Sequence, residues 1–203
     1  MNHPETWQKA EAVFKKHGGM LRTSRALALG VHPRTLYNLR EAGRLQQVTR
    51  GLYRLASLPE LGNPDLAAIA SRIPQGVICL ISALAFHEIT TQIPRQVDVA
   101  VPRGTKQSRL RFPPIRLFRF STPMHKAGIE THRVDGVEVR VYSAAKTVAD
   151  CFRFRNRLGL DVALEALREC WRARRCTMDE LWRHAKLCRV QNVMRPYLEG
   201  LVG

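Results

Sequence analysis

Residues 23–43 hold the feature that most narrows the fold. Thr23–Leu29 is the right size and composition for a short helix, with Thr23 or Ser24 as its cap. Gly30 follows at once, where a left-handed C-terminal turn calls for glycine. Val31 fills the turn, and Pro33 is placed to open the next helix, Pro33–Ala42, which Gly43 ends. Leu36 and Leu39 fall at i, i+3 and face inward. Arg34, Thr35, Asn38 and Tyr37 are then left on the outer faces. Two short helices around a tight turn are a helix-turn-helix, whose second helix can enter a DNA major groove.

The flanking residues extend this unit. Pro4 and Glu5 open a helix running to about His17, with Trp7, Ala10, Val13 and Phe14 on one apolar face and Gly18-Gly19 as its stop. After the pair of short helices, Leu45–Val48 alternates like a strand, Thr49-Arg50-Gly51 is a turn, and Leu52–Leu55 returns. This hairpin is a wing, with Arg50 at its tip and Arg54 behind it. The side chains suit DNA: arginine makes two bonds to guanine, asparagine pairs with adenine, and threonine touches a thymine methyl or a phosphate.

Charge points the same way. The 203 residues hold 33 Lys and Arg against 17 Asp and Glu, a net +16, which favours a polyanionic partner. The excess is not a tail, although residues 1–56 are the most basic for their length, at 10 basic to 3 acidic. The longest apolar run, Gly76–Phe86, is about half of what crosses a bilayer. The polar N-terminus has no signal-peptide pattern, and the expected setting is the cytoplasm, with no membrane partner.

From residue 63 the pattern is mixed, and the overall expectation is an α+β protein. Asn63-Pro64-Asp65 is a strong helix start, with the helix reaching about Arg72. Val77–Ile81 reads equally as a buried strand or as the lead-in to a helix, and Ser82–Glu88 as a short helix. Val97–Val101 is a strand closed by Pro102. Arg116–Phe120 alternates as another, with basic residues expected on one face and Leu117 on the other. Asp135-Gly136 marks a hairpin. Ser143 caps a helix to about Phe154, Asp161 begins one to about Arg172, and Thr177 with Glu180 forms a capping box. The expected division is a winged helix-turn-helix over 1–57 and an α+β domain with a helical C-terminal third over 63–203.

Residues 103–129 carry basic but no acidic side chains. Arg103, Lys106, Arg109, Arg111, Arg116 and Arg119 therefore form a candidate second basic surface, for DNA backbone or for an acidic protein. A solvated loop and sheet face explains them equally well.

Catalytic and metal signals are weak. Ser143-Ala-Ala-Lys146 has S-x-x-K spacing, but the companion S-D-N and K-T-G elements are missing. Ser143 reads as a helix cap and Lys146 as an ordinary first-turn lysine. Asp98 stands alone in its strand, while a turn, an exposed strand position and a helix surface account for Asp135, Glu138 and Asp150. Cys170, Cys176, His184 and Cys188 match no standard zinc spacing, and the five cysteines are expected to be reduced. No catalytic residue, metal or cofactor is expected.

Taken together, these residues resemble a known family. The segment from Gly18 to Leu55 resembles the winged unit of AbiEi-type antitoxins, and ISALAFHEIT, VDVAVPRG and VYSAAKTVADCFRF resemble that family's C-terminal region, over about residues 5–155. The resemblance implies a transcriptional repressor that binds repeats upstream of its own operon. It also implies the antitoxin of a type IV abortive-infection system, counteracting a nucleotidyltransferase-like toxin with or without a stable complex. Carried onto this chain, the DNA-binding residues are Arg34, Thr35, Asn38 and Arg40 on the recognition helix and Arg50 on the wing with Arg54 behind it; Tyr37 joins them from its place on the outer faces of that helix. Ser143, Lys146, Thr147 and Asp150 map to a segment expected to serve fold integrity first. Two other readings stay open: a regulator or protein-interaction module without antitoxin activity, and an enzyme acting on nucleic acid through metal held by Asp98 or Asp150.

Overall fold

The computed structural model of the chain describes residues 4–58, 62–105 and 113–201. Two compact units emerge, one of residues 1–74 with 133–139, the other of residues 75–132 with 140–203.

The first unit opens with α1 (Pro4–Lys16), which buries Ala10 and Phe14. Gly18 and Gly19, both at positive φ, turn the chain into β1 (Met20–Arg22), a strand the sequence pattern did not announce. Helices α2 (Thr23–Ala28) and α3 (Pro33–Glu41) follow. Arg22, without a side-chain cap bond, takes the cap position expected of Thr23 or Ser24, and the Thr23 N–H donates to the Gly51 carbonyl. His32 caps α3, its Nδ1 accepting from the Arg34 N–H, and Pro33 sits in the first turn. Strands β2 (Leu45–Thr49) and β3 (Leu52–Leu55) join β1 in a three-stranded antiparallel sheet of order β1-β3-β2. Helix α4 (Pro64–Arg72) completes the unit, capped by Asn63, whose Oδ1 accepts from the Leu66 N–H. The backbone N–H groups of Gly62 and Asn63 each donate to the Asp135 carboxylate at 2.9 Å. Asp135 is thus more than a turn residue. One core packs Phe14, Ala26, Leu36, Leu39, Leu45 and Leu55 together.

The second unit is built on a five-stranded mixed sheet of order β6-β5-β4-β8-β7. Val77–Ile81 divides between the two readings left open for it: β4 is Val77–Ile78, and α5 begins at Leu80 and ends at Phe86. Strand β5 (Val97–Pro102) is antiparallel to β4 and parallel to β6 (Ile115–Phe120). A short α6 (Thr122–Lys126) leads to β7 (Ile129–Val134) and β8 (Val137–Tyr142), joined by Asp135-Gly136 with both residues at positive φ, as a tight hairpin turn requires.

Five helices follow: α7 (Ala144–Arg153), α8 (Arg155–Leu158), α9 (Leu160–Arg172), α10 (Met178–Leu187) and α11 (Gln191–Glu199). Ser143 caps α7, and Thr177 with Glu180 forms the expected capping box on α10. Every residue of α7 from Ala144 to Phe152 is buried. It is the central helix of a core that gathers Val148, Phe152, Ala163, Leu167, Leu181 and Met194. The architecture is α+β with a helical C-terminal third.

Candidate nucleic-acid interface

Helix α3 and the wing carry the expected contacts, and burial divides them. Arg34, Arg40 and Arg50 are exposed, Tyr37 is 53% exposed, and Asn38 is half-buried. Arg34, Tyr37 and Asn38 recur at helical spacing and so share one side of α3. The Arg40 guanidinium lies over the Tyr37 ring, 5.4 Å from its centroid, which holds a cation against a flat aromatic surface. Arg50 stands at the turn between β2 and β3, where Gly51 adopts φ +75°. Because Thr23 at the head of α2 bonds to Gly51, the wing turn is tied directly to the helix pair.

Two of the expected contacts lie elsewhere. Thr35 is 8% exposed: it lies four residues before Leu39 and beside Leu36, and that spacing turns it to the core face. Arg54 is 4% exposed. Its strand was expected as the returning arm of a two-stranded hairpin, and β1 makes it the central strand of three. Its guanidinium donates to Gln46 Oε1 at 3.3 Å and to the Leu58 carbonyl at 2.9 Å, stitching the sheet together. Thr35 belongs to the inward face of α3, and Arg54 to the scaffold of the wing.

The sheet adds one cation that the pattern missed. Arg22 ends β1 opposite Leu52, beside the wing turn. Its Nη2 is enclosed with no hydrogen-bond partner among the described residues. Burial, and then the nearby Arg72, lower its pKa. No sequence signal marked it, because its position depends on a three-residue strand.

In the second unit, the expected basic surface divides as well. Lys106, Arg109 and Arg111 lie outside the described residues. Arg116 is not a free surface cation. Its Nε and Nη2 donate to Oδ1 and Oδ2 of Asp98 at 2.8 and 2.9 Å, and Asp98 is itself buried. Burial raises the Asp98 carboxyl while this two-bond clamp opposes the rise. Asp98 is therefore half of a structural pair rather than an isolated acid. Nor do Arg116 and Arg119 share a face of β6: three residues apart in a strand, they point to opposite sides. Arg103 and Arg119 are exposed.

The S-x-x-K segment is structural. Ser143 Oγ accepts from the Lys146 N–H, as an N-cap does. Lys146 is not an ordinary first-turn lysine and Asp150 is not on a helix surface, since both are wholly buried and paired. The five cysteines are free thiols in the core. Among the described residues, no group of three His, Cys, Asp or Glu side chains is placed to hold a metal ion, and no helix is long and apolar enough to cross a membrane.

A helix-turn-helix backed by a third helix, with a three-stranded sheet whose hairpin projects beside the second helix of the pair, is a winged helix-turn-helix. Residues 8–56, which span this unit from within α1 to just past β3, match the family described as transcriptional regulator, AbiEi antitoxin. Over 91% of its length the chain is also similar to the crystal structure of the RV2827C protein from Mycobacterium tuberculosis, covering 72% of that chain with a TM-score of 0.55 at 11% identity. At that identity the likeness is one of fold. No curated protein matches the chain.

Proposed function

We propose that the protein is a sequence-specific DNA-binding repressor that autoregulates its own operon and acts as the antitoxin of a type IV abortive-infection system. Its partners are then the operator repeats, as double-stranded DNA, and a nucleotidyltransferase-like toxin that it counteracts. It acts in the cytoplasm, by binding and without catalysis or cofactor. The observation that carries the DNA reading is the α3 face of Arg34, Tyr37 and Asn38, with Arg40 stacked on Tyr37 and Arg50 on the wing, in a unit that matches a family of regulators and antitoxins. Arginine and asparagine on a groove-entering helix read base edges, and a cation on the wing reaches the backbone.

The test is fluorescence anisotropy of the full chain on its upstream DNA and on a scrambled duplex, at about physiological salt, where screening is realistic. Tight binding to the upstream duplex alone supports a specific repressor. Equal, weak and salt-sensitive binding to both would reduce the +16 charge to a generic attraction and overturn the reading. The antitoxin role is tested by co-expression with the product of the neighbouring gene. Rescue of growth supports it, and absence of rescue leaves a regulator without antitoxin activity.

A further inference from the structure

Five arginines from separate parts of the second unit line one cavity of about 370 Å³: Arg103, Arg119, Arg153, Arg155 and Arg189. They come from the end of β5, from β6, from the α7–α8 junction and from the turn between α10 and α11. Phe120 and Phe154 supply an apolar wall, their rings stacked 5.7 Å apart. No acidic residue lines the cavity, and among the described residues none of the five arginines forms an ion pair.

Stability alone does not explain this arrangement. Arg153 donates to the Cys188 carbonyl and Arg155 to the Phe152 carbonyl, which tethers two guanidinium groups and leaves N–H donors over. Helix-end bonding accounts for those two, but not for Arg103, Arg119 and Arg189, which are exposed at the same opening. Arg189 also holds a left-handed backbone, φ +58°, at a turn position that glycine usually takes. Like charges gathered without counter-charges repel one another unless an anion joins them.

Shape narrows the class of anion. The cavity falls within the size range of small-molecule sites, about 300–1,000 Å³. A duplex backbone is convex and continuous and meets only the rim of such a hollow. A polyphosphate instead places several oxyanions in a small volume, and the guanidinium fork matches phosphate oxygens in pairs. We infer that the cavity is a binding site for a compact polyphosphate, either inorganic or carried by a nucleoside. This site is separate from the α3 face and the wing, and stands whether or not those residues read DNA.

The experiment is isothermal titration of the full chain with sodium tripolyphosphate, and separately with ATP and with GTP, at matched ionic strength. Saturable one-to-one binding is expected. The Arg119→Ala/Arg189→Ala double variant should weaken it by about tenfold or more, as loss of charge-assisted hydrogen bonds implies, while Arg183→Ala leaves it unchanged. Because both altered side chains are exposed, circular dichroism should show an unchanged fold. Arg103→Glu, which reverses one charge, should act in the same direction. Tighter binding of ATP or GTP than of tripolyphosphate identifies a nucleotide, and equal binding identifies the phosphate chain alone. Failure of all three probes to saturate overturns the inference, as does binding that ignores both sets of arginine substitutions. So does a double variant that loses affinity only for duplex DNA, which would make the arginines a backbone contact.

Discussion

Lys146 Nζ lies 2.5 Å from Asp150 Oδ2 on successive turns of α7, and neither side chain reaches solvent. The ammonium also faces the Tyr142 ring at 4.3 Å and the Phe120 ring at 4.9 Å, while the other Asp150 oxygen accepts from the Cys188 thiol at 3.3 Å. Tyr142 donates its hydroxyl to the His125 carbonyl, and its ring stacks on Phe120. This pair thus joins the sheet to the helical third inside one core.

Removing one partner of that pair should be costly. Lys146→Met leaves a buried carboxylate without its cation, and a loss of about 3–5 kcal/mol in unfolding free energy is expected. Lys146→Met/Asp150→Leu removes both charges and should recover most of it. Urea denaturation of the two variants decides the matter. A double variant as unstable as the single one would show that packing, not charge, is the source of the loss.

Acid should weaken the same region through His184. The imidazole is buried, its Nδ1 has no hydrogen-bond partner among the described residues, and its pKa is lowered to about 4. Burial is the main cause, with Lys146 and Arg183 adding to it and Glu180 opposing. The unfolded chain therefore binds a proton below about 6.5 that the folded chain refuses until about 4. The contribution is fully present above pH 6.5 and is lost as pH falls through that window. Urea midpoints at pH 7 and pH 5 should fall further for the native chain than for His184→Gln, and equal falls would exclude His184 as the cause.

Gly128 cannot carry a side chain without moving this cluster. Its φ is +67°, and a Cβ there would sit 2.7 Å from Lys146 Cβ and 3.1 Å from His184 Cε1. Gly128→Ala should cost about 1–3 kcal/mol, from overpacking added to an unfavourable backbone angle. Thermal unfolding followed by circular dichroism measures it, and an unchanged midpoint would mean that the neighbours give way freely.

On DNA, the α3 face and the wing should fail in different ways. Arg34→Ala/Asn38→Ala should erase the preference for operator over scrambled duplex, at about 1–3 kcal/mol for each base-reading pair lost. If the double variant keeps the full preference, α3 is not the reading helix.

Arg50→Ala should instead weaken binding to every sequence and reduce the slope of log affinity against log salt by about one. Anisotropy titrations at three salt concentrations separate this from a loss of specificity. An unchanged slope would take Arg50 out of contact with phosphate.

The winged unit was legible in the sequence because its signals are local. Gly30, Pro33, Gly43 and Gly51 mark turns that depend on backbone angles, and Leu36 and Leu39 mark a face by spacing alone. The same holds for the Asn63, Ser143 and Thr177 caps and for the Asp135-Gly136 turn, each of which involves residues only a few positions apart. What the pattern hid depends on partners distant in the chain. Arg54 is buried because β1 pairs with its strand from more than thirty residues away, and Arg116 is clamped because β5 and β6 run side by side. Lys146 and Asp150 sit at ordinary i, i+4 spacing, which serves an exposed pair as well as a buried one. Only the packing of the sheet and of α9 and α10 around α7 makes theirs a buried pair. The five-arginine cavity is the extreme case: its members span Arg103 to Arg189, and no local rule brings together side chains that only the closed tertiary structure gathers.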